Sequence, residues 1–216
     1  MGKEKVRFKI PEIHGAEAIK RIAEVFDKHK TRFWLDYGTL LGKVREDRFI
    51  PHDGDIDIAI DYDNWNQAVL EDLPKNGIYF KKPYNRFTDD RILKFVGDKK
   101  KNTITQLKLA YRYKNKHGRV KAVSICGEVY HRGVGKYKDM MYFWPTPKPK
   151  WIFHIPWDYM VPQIETTFYG TKVYIPKNYE DNLKFMYGED WRIDDPLYKN
   201  SDKHRESGKR FKLFFM

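Results

Sequence analysis

The chain has 216 residues, 41% hydrophobic and 33% charged, with a formal net charge of +12, which suits one soluble folded domain with a real core. A single cysteine, Cys126, excludes an internal disulfide and fits a reducing compartment. No apolar run approaches the ~20 residues that a membrane-spanning helix needs, and the N-terminus MGKEKVRFKIPEIHG lacks the apolar region of a secretory signal.

In chain order, Gly2 does not open a myristoylation motif, because Val6 stands where Ser or Thr is required. Ala16 to His29 places Ile19, Ile22, Ala23 and Phe26 at helical spacing, which predicts an amphipathic helix. A strand over Thr31–Asp36 leads into a turn at Gly38 and a short helix from Thr39, with Thr39 as its N-cap. Asp55–Asp61 reads as a strand, and a helix capped by Asp63 or Asn64 runs through Leu73. From Ile92 the pattern turns to β. Thr105–Tyr113 and Arg119–Tyr130 form a hairpin around Lys114-Asn-Lys-His-Gly118, and Tyr137–Phe143 adds a strand. Pro145-Thr-Pro-Lys-Pro149 begins a loop. Val173–Ile175 is a short strand, Asn178–Tyr187 a helix ended by Gly188, and the stretch from Lys199 a polar, basic, poorly ordered tail.

Charge is unevenly placed. Residues 1–80 carry 13 Lys and Arg against 15 Asp and Glu, whereas residues 81–121 carry 14 against 3. A basic surface of this kind steers anionic partners, whether a nucleotide diphosphate, a phosphate-bearing glycan, nucleic acid or an anionic membrane.

The chemistry concentrates in Asp36-Tyr-Gly-Thr-Leu-Leu-Gly42 and Ile50-Pro-His-Asp-Gly-Asp-Ile-Asp-Ile58. In an extended strand residues two apart share a side, so Asp55 and Asp57 project together while Ile56 and Ile58 face the core. Asp53 has the same parity. Adjacent carboxylates repel and rise in pKa unless a cation neutralises them. Mg2+, or Mn2+ in its place, is the hard cation that joins carboxylate and phosphate oxygens in one shell. The Gly38–Thr39 turn allows close backbone approach to a phosphate. Together these residues point to metal-assisted chemistry at phosphorus.

GTLLG, Val44-Arg45, Phe49-Ile50-Pro51 and the D-x-D-I-D run resemble the signature of the LicD/fukutin-related phosphotransferase family. Phe168-Tyr-Gly-Thr-Lys-Val-Tyr-Ile-Pro176, Leu183 and Tyr187-Gly-Glu-Asp-Trp191 resemble its closing block. The resemblance implies an α+β fold, a nucleotidyltransferase-like mixed β-sheet flanked by helices with a C-terminal extension. Residues 1–198 are then one domain and 199–216 a basic tail. It also implies transfer of a phospho-alcohol, such as phosphocholine or a polyol phosphate, from a CDP-linked donor onto a glycan sugar. Two positions depart from the pattern: His52 replaces a usual Trp beside the donor site, and Gly54 replaces an acid that is common there.

A nucleotidyltransferase-type site needs a third carboxylate from a neighbouring strand, and Glu128 is the best-placed candidate. It stands where the family tends to carry an aspartate. A surface pairing with lysine is the plainer reading of this residue. Arg45 suits a bidentate phosphate clamp, with pairing to Glu46 or Asp47 as its alternative. His131 is a candidate base for the acceptor hydroxyl, and an ordinary surface histidine otherwise. Lys108 and Arg112 are expected to line a path for the anionic donor or acceptor. Trp144, Trp151 and Trp157 flank the Pro-rich loop, where sugar stacking competes with a core role. Two other functions share these residues: transfer of a nucleoside monophosphate from a nucleoside triphosphate, and non-catalytic binding of an anionic glycan. DNA is not an expected partner, and the expected location is cytoplasmic, with peripheral contact at the inner face of an anionic membrane as an option.

Overall fold

Ala18, Ile19, Ile22, Val25 and Phe26 recur at helical spacing and are buried on one stripe of α1 (Glu12–Lys28). The computed structural model describes residues 10–82, 85–86, 92–97, 103–143, 151–193 and 210–212. Helix α1 starts ahead of Ala16 because the carbonyl of Pro11 already accepts from the amides of His14 and Gly15. A short buried strand, β1 (Phe33–Leu35), leads into α2 (Tyr37–Glu46) and then β2 (Asp55–Asp61). The N-cap of α2 is Asp36, not Thr39, and its carboxylate accepts from the amide of Tyr37. Thr39 therefore lies inside the first turn of the helix.

After β2, the carboxylate of Asp61 takes both the amide of Asp63 and the side-chain amide of Asn64, at 3.0 and 2.7 Å. This tightens residues Tyr62–Asn64 into a single 3-10 turn and delays α3 to Ala68–Lys75, later than the expected start at Asp63 or Asn64. Strands β3 (Ile78–Phe80) and β4 (Asn85–Arg86) follow. The β pattern expected from Ile92 is first interrupted by a helical turn, α4 (Leu93–Val96), whose Phe95 and Val96 are buried. The hairpin β5 (Ile104–Lys114) and β6 (Val120–Arg132) then turns at Gly118, where φ is +71°.

The expected Tyr137–Phe143 strand divides into a 3-10 turn at Gly135–Tyr137 and β7 (Met140–Phe143). The loop expected at 145–149 lies outside the described residues. Beyond it, β8 (Trp151–Pro156) was not anticipated. Strands β9 (Gln163–Phe168) and β10 (Thr171–Pro176) form a hairpin where only Val173–Ile175 was expected. Its two-residue turn holds Tyr169 at φ +49° and Gly170 at φ +75°, the left-handed pair that lets a tight hairpin keep the strand twist. Helix α5 (Tyr179–Tyr187) ends at Gly188 as read from the sequence. Within the stretch expected to be a tail, β11 (Arg210–Lys212) pairs with β8.

The main sheet is mixed. Strand β2 is antiparallel to β1 and parallel to β6, while β6 is antiparallel to β5, whose other edge receives β3 and β4. The far end of β6 continues the sheet into β7, β8 and β11. Ile56, Ile58, Ile60, Ile125, Val129, Leu107 and Leu109 form its apolar side in one core with α1 and α3. The fold is α+β, as expected.

The C-terminal block is packed against the N-terminal motif. Phe49 stacks on Tyr169 at 4.9 Å and meets Phe168 edge-on at 5.0 Å, and its amide donates to the Tyr169 hydroxyl. The loop that delivers the chain into β2 is thus held by the β9–β10 hairpin.

Candidate active site

Strand register assembles one face of the sheet from residues far apart in sequence. Across β2, β6 and β5, Asp57 lies opposite Cys126 and Cys126 opposite Lys108. In the neighbouring rows Asp55 faces Ser124, and Ala59 faces Glu128, which faces Gln106. Partners in register share a face, so Asp55, Asp57, Glu128, Lys108 and Gln106 stand on the same side.

Local hydrogen bonds fix this arrangement. The amide of Asp57 donates to the Thr39 hydroxyl at 2.8 Å, which locks the first turn of α2 onto β2. Thr39 is buried, so it positions the aspartate strand and does not present its hydroxyl at the surface as an anion-facing cap. Asp36 lies opposite Asp57, to whose carbonyl its amide donates at 3.2 Å. Gly38 is required by close approach: a Cβ there would stand 2.2 Å from Asp53 Oδ2 and 3.6 Å from Asp57 Oδ2. The glycine turn thus makes room for carboxylates.

The electrostatics are those of crowded acids. Burial first, then Asp55, Asp53, Asp36 and Glu128, hold the Asp57 carboxyl well above its ordinary range. Burial also raises Asp53, with Asp55 adding to the effect. Glu128 is raised by burial, opposed by a hydrogen bond from Gln106 at 2.5 Å and by the charge of Lys108. Its second oxygen, Oε2, is buried with no hydrogen-bond partner among the described residues.

Among the described residues no three His, Cys, Asp or Glu side chains close into a metal cage by themselves. The donor set nevertheless fits a hard divalent cation of the open kind, which takes one or two carboxylates and completes its shell with water and phosphate oxygens. All the donors are carboxylate oxygens, Gly38 leaves the space beside them clear, and Glu128, on the same face, keeps one oxygen without a hydrogen-bond partner among the described residues. Asp55 and Asp57, with Asp53 beside them, would hold the ion.

Other sequence-predicted residues are placed elsewhere. Arg45 donates to the backbone carbonyls of Trp191 and Ile193, so its guanidinium clamps the C-terminal segment to α2. The acids considered as its partners are engaged by others, Glu46 by Arg48 and Asp47 by Lys43. His131 has the opposite parity to Glu128 on β6. It is fully buried, 3.1 Å from the carbonyl of Ile104 and stacked on Tyr62, which is the environment of a core histidine rather than of a surface base. Arg112 shares the face of Lys108 but sits farther out, with its guanidinium over the Tyr79 ring at 5.1 Å. His52 is partly exposed in the loop before β2, and adjoins Asp53 closely enough to lower that acid slightly. Of the three tryptophans, Trp157 lies under the Arg132 guanidinium at 4.1 Å. Trp144 and the Trp151 side chain lie outside the described residues.

Sequence reading missed Asp36, Gln106 and Tyr130. Asp36 heads the glycine-turn stretch and Tyr130 closes an apolar strand, but no local spacing tells that both are buried and joined. Gln106 had one usable signal, its alternation with Lys108 on the strand paired to Glu128.

A family model described as LicD/FKTN/FKRP, nucleotidyltransferase domain, matches residues 30–178. The chain is 24% identical over 161 residues to the ribitol-5-phosphate transferase FKTN of Mus musculus, which covers 74% of this chain and 29% of that protein. It is 28% identical over 102 residues to the uncharacterized protein RP689 of Rickettsia prowazekii (strain Madrid E), covering 45% of this chain and 38% of that protein. The matched stretches therefore span well under half of either relative.

Proposed function

The chain belongs to the LicD/FKTN/FKRP family of nucleotidyltransferase domains, and we propose that it is a divalent-metal-dependent phosphotransferase. In this reading it moves a phospho-alcohol, of the phosphocholine or polyol-phosphate kind, from a CDP-linked donor onto a sugar hydroxyl of a glycan. The observation that supports it is the shared face of Asp55, Asp57 and Glu128 on adjacent strands, with Lys108 beside them. The similarity to a ribitol-5-phosphate transferase supports the phospho-alcohol. No helix among the described residues is long and apolar enough to cross a membrane.

Bound at Asp55 and Asp57, Mg2+ or Mn2+ would neutralise the donor diphosphate and the charge that develops on it. The protein's own part is placement and proton handling. Thr39 holds the β2 backbone so that both aspartates keep their direction, and Gly38 leaves the approach open. The acceptor hydroxyl oxygen attacks the alcohol-bearing phosphorus while the phosphoanhydride P–O bond breaks. CMP leaves with the bonding electron pair, and Glu128 takes the hydroxyl proton. A carboxylate raised by burial is a stronger base than one in water, which suits it to that task.

The test is a turnover assay with Mg2+ or Mn2+, a panel of CDP-alcohols and a sugar acceptor, read by product mass. A phospho-alcohol adduct with release of CMP is expected. A nucleotide adduct formed from a nucleoside triphosphate would replace this reading with nucleoside monophosphate transfer. Absence of turnover, combined with retained binding to an anionic glycan, would replace it with a binding module. Cytidine nucleotides with metal should also raise the melting temperature, since a ligand at 100 times its Kd adds about 2.7 kcal/mol to the folded state.

A further inference from the structure

Two ammonium groups reach across the sheet toward the carboxylate strand. The amide of Lys81 donates to the carbonyl of Lys108 at 2.9 Å, which extends the β3–β5 pairing by one residue and puts both lysines on the carboxylate face. Both side chains then lean over β6. Lys81 Nζ donates to Ser124 Oγ at 3.0 Å, and Lys108 Nζ to Cys126 Sγ at 2.7 Å. Ser124 is the register partner of Asp55, and Cys126 of Asp57. Each ammonium therefore stands over the strand adjoining the aspartates, about one inter-strand spacing of 4.8 Å from their row.

Glu128 and Asp55 act on the Lys108 charge through space, but among the described residues neither lysine touches a carboxylate where it rests. Among the described residues neither lysine forms an ion pair. Lys81 rests on a neutral hydroxyl. Lys108 rests on a thiol sulfur, a weak acceptor. Hydrogen bonds from an ammonium to an anion are stronger than those to a neutral hydroxyl or thiol, so a phosphate would displace both resting contacts. Between the aspartate row and the lysine strand the floor of β6 is made of small side chains, Ser124 and Cys126, on which the two ammonium groups rest.

We propose that Lys81 and Lys108 form the cationic wall of a diphosphate cleft whose opposite wall is the aspartate strand. The ligand class is the diphosphate of a nucleoside-diphosphate-linked donor, and the two ammonium groups neutralise the phosphate that departs with the nucleoside. This rests on the phosphotransferase reading for its role in turnover, but the binding itself does not depend on which alcohol or base the donor carries. Lys81 gives no signal in the sequence because it adjoins Lys82 in a basic stretch with no motif.

The experiment is calorimetric titration of the protein with inorganic pyrophosphate, once in chelator and once with Mg2+. In chelator the wild type should bind, Lys81→Met should bind about tenfold more weakly, and Lys81→Met with Lys108→Met about a hundredfold more weakly, as loss of charged hydrogen bonds implies. Lys81→Arg should retain affinity. Asp55→Asn should bind metal-free pyrophosphate at least as tightly as the wild type, because it removes a repelling charge. Lys81 is exposed, so its variants should melt like the wild type, and that is checked alongside. Equal pyrophosphate affinity in wild type and both lysine variants overturns the cleft, as does a wild type that binds no pyrophosphate in chelator. Pyrophosphate carries neither cytidine nor alcohol, so the two readings fail separately. Lysine-dependent binding without CDP-alcohol turnover removes only the donor assignment, whereas CDP-alcohol turnover with lysine-independent binding removes only the cleft.

Discussion

The hydroxyl of Tyr130 donates to Asp36 Oδ2 at 2.8 Å, joining the central strand β6 to the residue that caps α2. That bond and the amide of Tyr37 are the polar company of a fully buried carboxyl, and burial outweighs both, pushing Asp36 up to about 7. Asp36, Asp57 and Glu128 are thus three neighbouring acids, all raised, around the crossing of β1, β2 and β6.

The pH dependence of stability follows from Asp36. Its ordinary pKa is 3.8 and its folded value about 7, so between these the folded state holds a proton that the unfolded state has released. The associated stability is fully present below about pH 4 and is lost as pH rises through 7, with a ceiling on the order of 4 kcal/mol. In chelator, urea titrations from pH 4 to pH 8 should show wild type losing stability relative to Asp36→Asn as pH rises. Parallel profiles would mean that Asp36 does not titrate in this range.

Asp55→Ala and Asp57→Ala should each lower kcat/KM by at least about a hundredfold, since loss of a ligand or its orientation misplaces metal and phosphate together. Melting temperatures in chelator should hold or rise, because each substitution relieves repulsion among like charges. Turnover near the wild-type level in either variant would end the assignment of these acids to the metal.

Gly38→Ala separates the two uses of the glycine turn. Gly38 has no positive φ, so backbone strain is not the issue; the added methyl would meet Asp53 Oδ2 at 2.2 Å. The expected result is a large loss of activity with weaker metal dependence and a small change in melting temperature. A loss of folding with no change in metal dependence per folded molecule would make the contact one of packing alone.

Arg45→Met should lower the melting temperature and leave the KM for donor unchanged. The guanidinium holds the carbonyls of Trp191 and Ile193, and the part-buried Trp191 carbonyl would lose a charged donor worth about 1.5–3 kcal/mol, the exposed Ile193 carbonyl less. A raised KM with intact stability would instead return Arg45 to phosphate binding.

The sequence by itself determined the parts that depend on local periodicity. Asp55, Asp57 and the isoleucines between them specify a half-buried strand, because period two is a property of the extended chain. The β5–β6 hairpin and the end of α5 at Gly188 were legible for the same local reason, a turn composition and a helix stop. What only the tertiary structure decided was which distant groups share a face. Spacing within β6 already sets Glu128 and His131 on opposite faces, but only the parallel pairing of β2 with β6 decides that the aspartates share the face of Glu128 and not that of His131. Arg45 is drawn from phosphate to backbone carbonyls because Trp191, 146 residues later, docks against α2. Lys81 joins the site only through its pairing with Lys108. Long-range register and packing, not composition, set the electrostatic surroundings of each of these groups, and those surroundings decide whether a charge binds a ligand, caps a helix or holds the chain together.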